Sequence, residues 1–214
     1  LDENTDLFLD LDNTILTSVS DFGGDAWERF LINHFVESGM EENVAVERAS
    51  LFWRAVQTVS EIELVEEEIG PLIKGLKTPC FVITARSLTF RNVTEEQINS
   101  LNLKFSDCKV PFSLGEPDFV RGVFYCGDTP KWKVLKWYAD RHPGRRLVFV
   151  DDLRDHVERA AENLEAIVAL RYGYLDKRKE NYVPCEATKL LGKVIAHPHA
   201  SNHLKMVVLP KDGP

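Results

Sequence analysis

Hydrophobic and polar positions fall in blocks of changing period along this chain. The first block is Leu7-Phe8-Leu9-Asp10-Leu11-Asp12-Asn13-Thr14, a short apolar run that closes on two aspartates spaced i, i+2 and a threonine. It predicts a buried strand delivering carboxylates to its C-terminal edge. Residues 25–37 and 41–57 then carry apolar side chains three and four apart, with Gly39 between them as a helix stop, which predicts a helical insert. Residues 60–69 read as a further helix whose glutamates form a solvated face, running through Gly70-Pro71 into a second helical stretch that ends at Leu76.

Strand-like runs return after Thr78-Pro79. Cys80-Phe81-Val82-Ile83-Thr84 is β-branched and aromatic, and Thr94-Glu95-Glu96-Gln97 has the form of a capping box ahead of Ile98 and Leu101. Two extended runs within residues 110–126, separated by Gly115-Glu116-Pro117, predict a hairpin or a strand with a long loop. Pro130 opens a helix over residues 131–141 that His142-Pro143-Gly144 stops. Residues 146–152 repeat the opening theme, an apolar strand ending in Asp151-Asp152, and a helix at 153–164 and a strand at 166–170 follow; 206–209 is a candidate edge strand. Strands alternating with helices predict an α/β class, with a Rossmann-like parallel sheet covered on both faces and its functional groups at the carboxyl ends of the strands. Asp10, Thr84 and Asp151 share that edge. The expected division is a core of residues 1–16 and 76–214, with a small helical cap at 17–75.

Composition narrows the function. At 214 residues and 44% hydrophobic, the chain can bury one sizeable core. Its 34 acidic against 26 basic residues, with a formal charge of −8, argue against nucleic acid or an anionic membrane as the general partner. No apolar run reaches the roughly 20 residues of a membrane span, and no signal-peptide pattern is present; because the chain opens on Leu1, a trimmed export signal stays an open alternative. Cys80, Cys108, Cys126 and Cys185 form no CxxC pair and read as ordinary thiols.

Four elements stand in order: Asp10-Leu11-Asp12-Asn13-Thr14, Ile83-Thr84-Ala85-Arg86, Lys131 at a helix start, and Asp151-Asp152 with Asp155 beyond. This ordered set resembles the haloacid dehalogenase superfamily over most of the chain outside the insert. With Thr94-x-x-Gln97 and Val150-Asp151-Asp152 it looks like a branch from intracellular bacteria that includes secreted effectors with protein-tyrosine phosphatase activity. The resemblance implies an Mg²⁺-dependent phosphatase, in which Asp10 attacks phosphorus to form an aspartyl-phosphate and Asp12 handles the proton. It further implies that Thr84 binds phosphoryl oxygens and that Lys131 pairs with nucleophile and phosphate, with Lys133 and Lys136 as competitors. Ala85 and Arg86 would be substrate-binding positions, Arg86 either holding a second anionic group or pairing with a core carboxylate. Asp10, the Asp12 carbonyl and Asp151 would be metal ligands, with Asp152 or Asp155 completing the set. The chemistry suits such residues, because an anionic carboxylate meets an anionic phosphate only where positive charge offsets the repulsion, and Mg²⁺ is a hard cation that takes oxygen ligands.

Other features read as structural. Asp128 in Gly127-Asp128-Thr129-Pro130 fits a helix cap; His197, His199 and His203 fit a solvated loop without a completing ligand; Trp27, Phe30, Phe35, Phe52 and Trp53 fit core contacts of the insert, one or two of them lining a substrate entrance, and Arg54 fits its surface. The expected partner is a phosphorylated substrate, either a phosphoprotein or a small phosphomonoester. The expected location is soluble, whether secreted into a host cell or cytoplasmic. A catalytically weak binding or effector protein on the same fold, and a phosphotransferase, are the alternatives; oligomeric state is open.

Overall fold

The computed structural model describes residues 1–20, 22–107 and 117–182. In chain order the elements are β1 (Thr5–Leu9), β2 (Leu16–Ser18), α1 (Asp25–Glu37), α2 (Glu42–Gln57), β3 (Ile62–Leu64) and α3 (Ile69–Gly75). There follow β4 (Cys80–Thr84), a 3₁₀ turn (Leu88–Phe90), α4 (Arg91–Ser100), β5 (Asp118–Val120), β6 (Val123–Tyr125) and α5 (Lys131–Arg141). The last elements are β7 (Arg146–Asp151), α6 (Arg154–Asn163), β8 (Ile167–Arg171) and α7 (Asp176–Glu180). The described residues form two compact units, one of Leu1–Leu16 and Leu64–Tyr174, the other of Thr17–Glu63 and residues 175–182.

The first unit is an α/β layer structure around a six-stranded sheet in the order β5-β6-β4-β1-β7-β8. Every adjacent pair is parallel except β5–β6, a hairpin turned by Arg121-Gly122, both at positive φ. A Cβ on Gly122 would stand 2.5 Å from Phe105 Cβ, so that turn requires the glycine twice over. The architecture is the Rossmann-like one that the alternating pattern predicts.

Register decides where the polar ends of the strands fall. Leu9 pairs with Val82 on one side and Val150 on the other, so the residues just past β1 lie beside the carboxyl ends of β4 and β7. The chain leaves β1 for β4 on one side and later returns to β7 on the other, making this a topological switch point, where open α/β sheets leave a crevice. Below that edge the strands are held by Phe8, Phe81, Ile83, Phe124, Phe149 and Tyr138, all buried. Phe8 meets the Tyr138 ring edge-on at 4.9 Å. Tyr138 also donates to buried Asp6 at 3.0 Å, and Arg145 pairs with the same carboxylate, satisfying a charge at the amino end of the sheet.

In the second unit α1 and α2 pack through Trp27, Leu31, Ala49, Phe52 and Val56, with Phe22 edge-on to Trp27 at 5.1 Å. Gly23, at φ +84°, brings the loop before α1 close enough for Gln57 Nε2 to donate to its carbonyl at 2.7 Å. From α7, Arg178 donates to the Ser18 carbonyl at 2.6 Å and pairs with Glu63 at 3.2 Å.

Three expectations change. Residues 62–64 form a strand paired with β2 instead of part of a helix, because Glu61-Ile62-Glu63-Leu64 alternates with period two. The helical unit accordingly ends at Glu63, not residue 75, and α3 belongs to the sheet unit. Thr94 lies inside α4 and is buried, so it is no cap; the N-cap position is Phe90. The first of the two extended runs, most of the Gly115-Glu116-Pro117 turn, the three histidines and 206–209 lie outside the described residues.

Candidate functional site

Asp10 follows β1 directly, and its N–H donates to the Val150 carbonyl at 2.8 Å, so the sheet ladder itself fixes where the carboxylate starts. The next five residues fold back: Ile15 and Leu16 both donate to the Leu11 carbonyl, and Asn13 takes φ +61°, a conformation asparagine tolerates better than most residues. This turn returns Thr14 over Asp10, whose Oδ2 accepts from the threonine hydroxyl at 3.1 Å.

Lys131 is the first residue of α5, behind Pro130 at the N-cap position. Its buried ammonium donates to Asp10 Oδ1 and, at 2.7 Å, to Asp151 Oδ2. Asp151 also accepts the Leu153 N–H at 2.8 Å and lies 3.0 Å from His156 Nδ1. Burial pushes the Asp151 carboxyl up, but His156 and Lys131 outweigh it and hold the group below the usual aspartate value. Burial likewise opposes the charge on Lys131, yet Asp10 and Asp151 hold it above the ordinary lysine value. Asp10 differs: burial, with Asp151, Asp152 and Asp12 adding to it, raises the carboxyl well above its usual value despite Lys131.

The carboxylates of Asp10, Asp151 and Asp152 offer oxygens all within 4.8 Å of one another, and all three residues are buried. Three buried carboxylates gathered this closely concentrate negative charge where water is scarce, a cost that a bound cation lowers. Oxygen-only, charged donors fit Mg²⁺. Asp152 therefore joins this set, while Asp155 does not: it is exposed on α6 and pairs with Arg159 at 2.9 Å, one helical turn on. Asp128 is exposed and makes no side-chain cap on α5. Lys133 lies over the Trp132 ring and Lys136 pairs with exposed Asp140, so among the three lysines Lys131 alone is in the cluster.

Thr84 ends β4, fully buried, and its hydroxyl accepts the Arg86 N–H at 3.1 Å, leaving the hydroxyl proton to be donated. Ala85, in the same turn, is exposed. The Arg86 side chain, by contrast, is 1% exposed and grips Asp12 with two bonds, Nη2 to Oδ1 at 2.6 Å and Nε to Oδ2 at 2.9 Å. Of its two expected roles the structure supplies the pairing with a carboxylate; a guanidinium this enclosed is not presented to a second anion. Sequence reasoning passed over His156 and gave Thr14 no role. The histidine sits five residues past Asp151 in the first turns of α6, and Thr14 sits four past Asp10, a spacing the tight turn alone makes meaningful. Cys126 is close enough to feel Lys131, but burial pushes its thiol up to about 12, so it is a neutral group at the site's floor.

Residues 1–197 match the family described as "Protein of unknown function (DUF2608)". The chain belongs to that family. It is 26% identical to a protein of Chlamydia muridarum named "Putative outer membrane protein", over 73% of this chain and 62% of that protein. It is 24% identical to a Chlamydia pneumoniae protein of the same description, over 86% of this chain and 73% of the relative, and 23% identical to one from Chlamydia trachomatis, over 75% and 64%. The aligned region thus spans a little under two thirds of the first relative's length. Among the described residues no helix is long and apolar enough to cross a membrane.

Proposed function

We propose that this DUF2608 protein is an Mg²⁺-dependent phosphomonoester hydrolase of the haloacid-dehalogenase type, working through an aspartyl-phosphate on Asp10. The observation that carries the reading is the meeting of Asp10, Lys131, Asp151 and Asp152 at the carboxyl edge of a parallel sheet, with a second carboxylate, Asp12, two residues past the first.

In this reading Asp10 Oδ attacks phosphorus, the bond to the leaving oxygen breaks, and Asp12 gives that oxygen its proton; water then attacks the aspartyl-phosphate while Asp12 takes the water's proton back. Lys131 and the Thr84 hydroxyl hold phosphoryl oxygens, and Thr14 keeps the Asp10 carboxylate oriented. Mg²⁺, held by Asp10, Asp151 and Asp152 with the Asp12 carbonyl implied by the resemblance, would supply the charge that lets a phosphate approach the nucleophile. A phosphotyrosine substrate and an exported, effector-like role belong to the same proposal; the relatives' printed name supports a location away from the cytoplasm, and export would show as the native protein in fractions outside the bacterial cytoplasm.

The test is a phosphatase panel with and without Mg²⁺, covering phosphotyrosine, phosphoserine and phosphothreonine peptides, sugar phosphates and nucleotides. The expected result is Mg²⁺-dependent phosphate release that Asp152→Asn weakens by about 10²-fold or more, as loss of a charge-stabilising group does, and that Asp155→Asn leaves within about 2-fold, as an exposed position should. A wild-type protein that binds Mg²⁺ but releases phosphate from no substrate would overturn the enzymatic reading in favour of a binding protein.

A further inference from the structure

A carboxyl that passes a proton to a leaving oxygen, the role proposed for Asp12, has to be held in one orientation. Asp12 sits on a loop after β1, and its side chain is 26% exposed, so an unrestrained carboxylate there would sample several rotamers. Arg86 removes that freedom. Its Nε and Nη2 meet the two Asp12 oxygens side by side at 2.9 and 2.6 Å, the fork geometry that fixes a carboxylate's plane as well as its position. The guanidinium is itself anchored from α4, where Nη1 donates to Thr94 Oγ1 at 3.0 Å and to Gln97 Oε1 at 2.6 Å. Thr94 and Gln97 are buried polar side chains one helical turn apart, on a helix that brings no carboxylate to the metal cluster. A buried arginine pair is costly and is often replaceable by apolar packing without loss of stability, so two further buried polar groups holding its orientation suggest that geometry is what is kept.

We propose that Arg86, locked by Thr94 and Gln97, is a positioning residue that points the Asp12 carboxyl at the leaving-group oxygen, so that a lysine, equal in charge but lacking the fork, cannot replace it. The inference rests on the phosphatase reading and adds a specificity consequence. The clamp matters for substrates whose leaving oxygen needs a proton, such as alkyl or plain aryl esters, and hardly matters where the leaving oxygen departs as a stable anion. Proton balance is unchanged: the proton that Asp12 gives up as the phosphorus–oxygen bond breaks is regained from the attacking water.

The experiment compares kcat/KM, which reports steps through the first phosphoryl transfer, for phenyl phosphate and 4-nitrophenyl phosphate in wild type, Arg86→Lys, Asp12→Asn and the double variant. Arg86→Lys is expected to lose about 10- to 100-fold on phenyl phosphate through kcat, with KM within about 2-fold, because misplacing a proton donor costs rate and not binding. On 4-nitrophenyl phosphate, whose leaving group needs no proton, the loss should stay under about 3-fold. Adding Arg86→Lys to Asp12→Asn should cost nothing further, since the arginine acts through that carboxylate. Equal losses on both substrates, or an added loss in the Asp12→Asn background, would overturn the proposal. Should Arg86→Lys fold poorly, Gln97→Ala loosens the same guanidinium without unpairing a charge; it must show a smaller loss with the same leaving-group dependence, and a loss equal on both substrates counts against the clamp. Absence of Asp10-dependent turnover in the wild type overturns this inference and the phosphatase reading together, whereas Asp10-dependent turnover with flat Arg86→Lys losses overturns this inference alone.

Discussion

Asp10→Asn is expected to cut phosphomonoester turnover by at least about 10³-fold, as loss of a nucleophile does, while making the metal-free protein more stable. The two effects have one cause. The Asp10 carboxyl is buried beside Asp151 and Asp152, and its proton affinity is held well above that of an ordinary aspartate. A carboxyl raised in the folded state favours folding only while it is protonated; as pH rises past the ordinary aspartate value, the unfolded chain releases its proton freely and the folded chain does so at a cost. Near neutral pH the group therefore works against the metal-free fold, and an uncharged asparagine of the same shape relieves it. Thermal melts in chelator should place the variant above wild type by a few °C, each kcal/mol moving a chain of this size by about 2–4 °C. That gap should shrink as pH is lowered. Saturating Mg²⁺ should raise the wild type more than the variant, since a cation at the cluster relieves the same charge. A variant less stable than wild type in chelator would contradict the charge argument, whatever its activity.

Lys131→Met has the opposite sign on stability and a comparable effect on rate. Methionine fills similar space but takes away the ammonium that bridges Asp10 and Asp151, leaving those two buried carboxylates, with Asp152 close by, without that cation. Removing one partner of a buried pair typically costs about 3–5 kcal/mol, which in a chain of this length is on the order of 10 °C in melting temperature. Turnover should fall by about 10²- to 10³-fold because the charge that faces the phosphoryl oxygens in the proposed mechanism is lost. Mg²⁺ should recover part of the melting temperature and little of the rate. A melting temperature within about 2 °C of wild type in chelator, which is less than 1 kcal/mol, would show that the lysine is not what holds the carboxylates together.

Much of the frame could be read from local pattern, because parallel strands buried on both faces are continuous apolar runs and their ends are marked by abrupt polarity. Cys80–Thr84, Asp25–Glu37 and Lys131–Arg141 have the bounds their periodicity predicts. Glu61 to Leu64 shows the limit of a charge-based reading: the glutamates suggest a solvated helix, but strict alternation with Ile62 and Leu64 favours a short strand paired with β2. Thr94 is no cap because α4 already starts at Arg91; buried inside the helix, its hydroxyl accepts from Arg86, a contact between residues on different elements that no helix-start signal contains. The core of the site was legible in Asp10, Lys131 and Asp151, which the family resemblance groups and which fall at element boundaries, Asp10 just past β1, Lys131 opening α5 and Asp151 ending β7. The choice between Asp152 and Asp155 was not, because it depends on which way α6 leaves β7: Asp152 stays at the strand end and Asp155 turns outward to Arg159. Arg86 was equally undetermined, its partner being fixed only by the turn after β1 that sets Asp12 within reach of the guanidinium.

The central claim is that Asp10 itself becomes phosphorylated. Rapid quenching of wild-type protein during turnover of a phosphomonoester in Mg²⁺, followed by mass spectrometry of the peptide carrying residues 7–16, should find phosphate on Asp10, and none on that peptide when Mg²⁺ is withheld. Sustained turnover with no phosphate on Asp10 at any quench time, or with phosphate on another side chain, would contradict it.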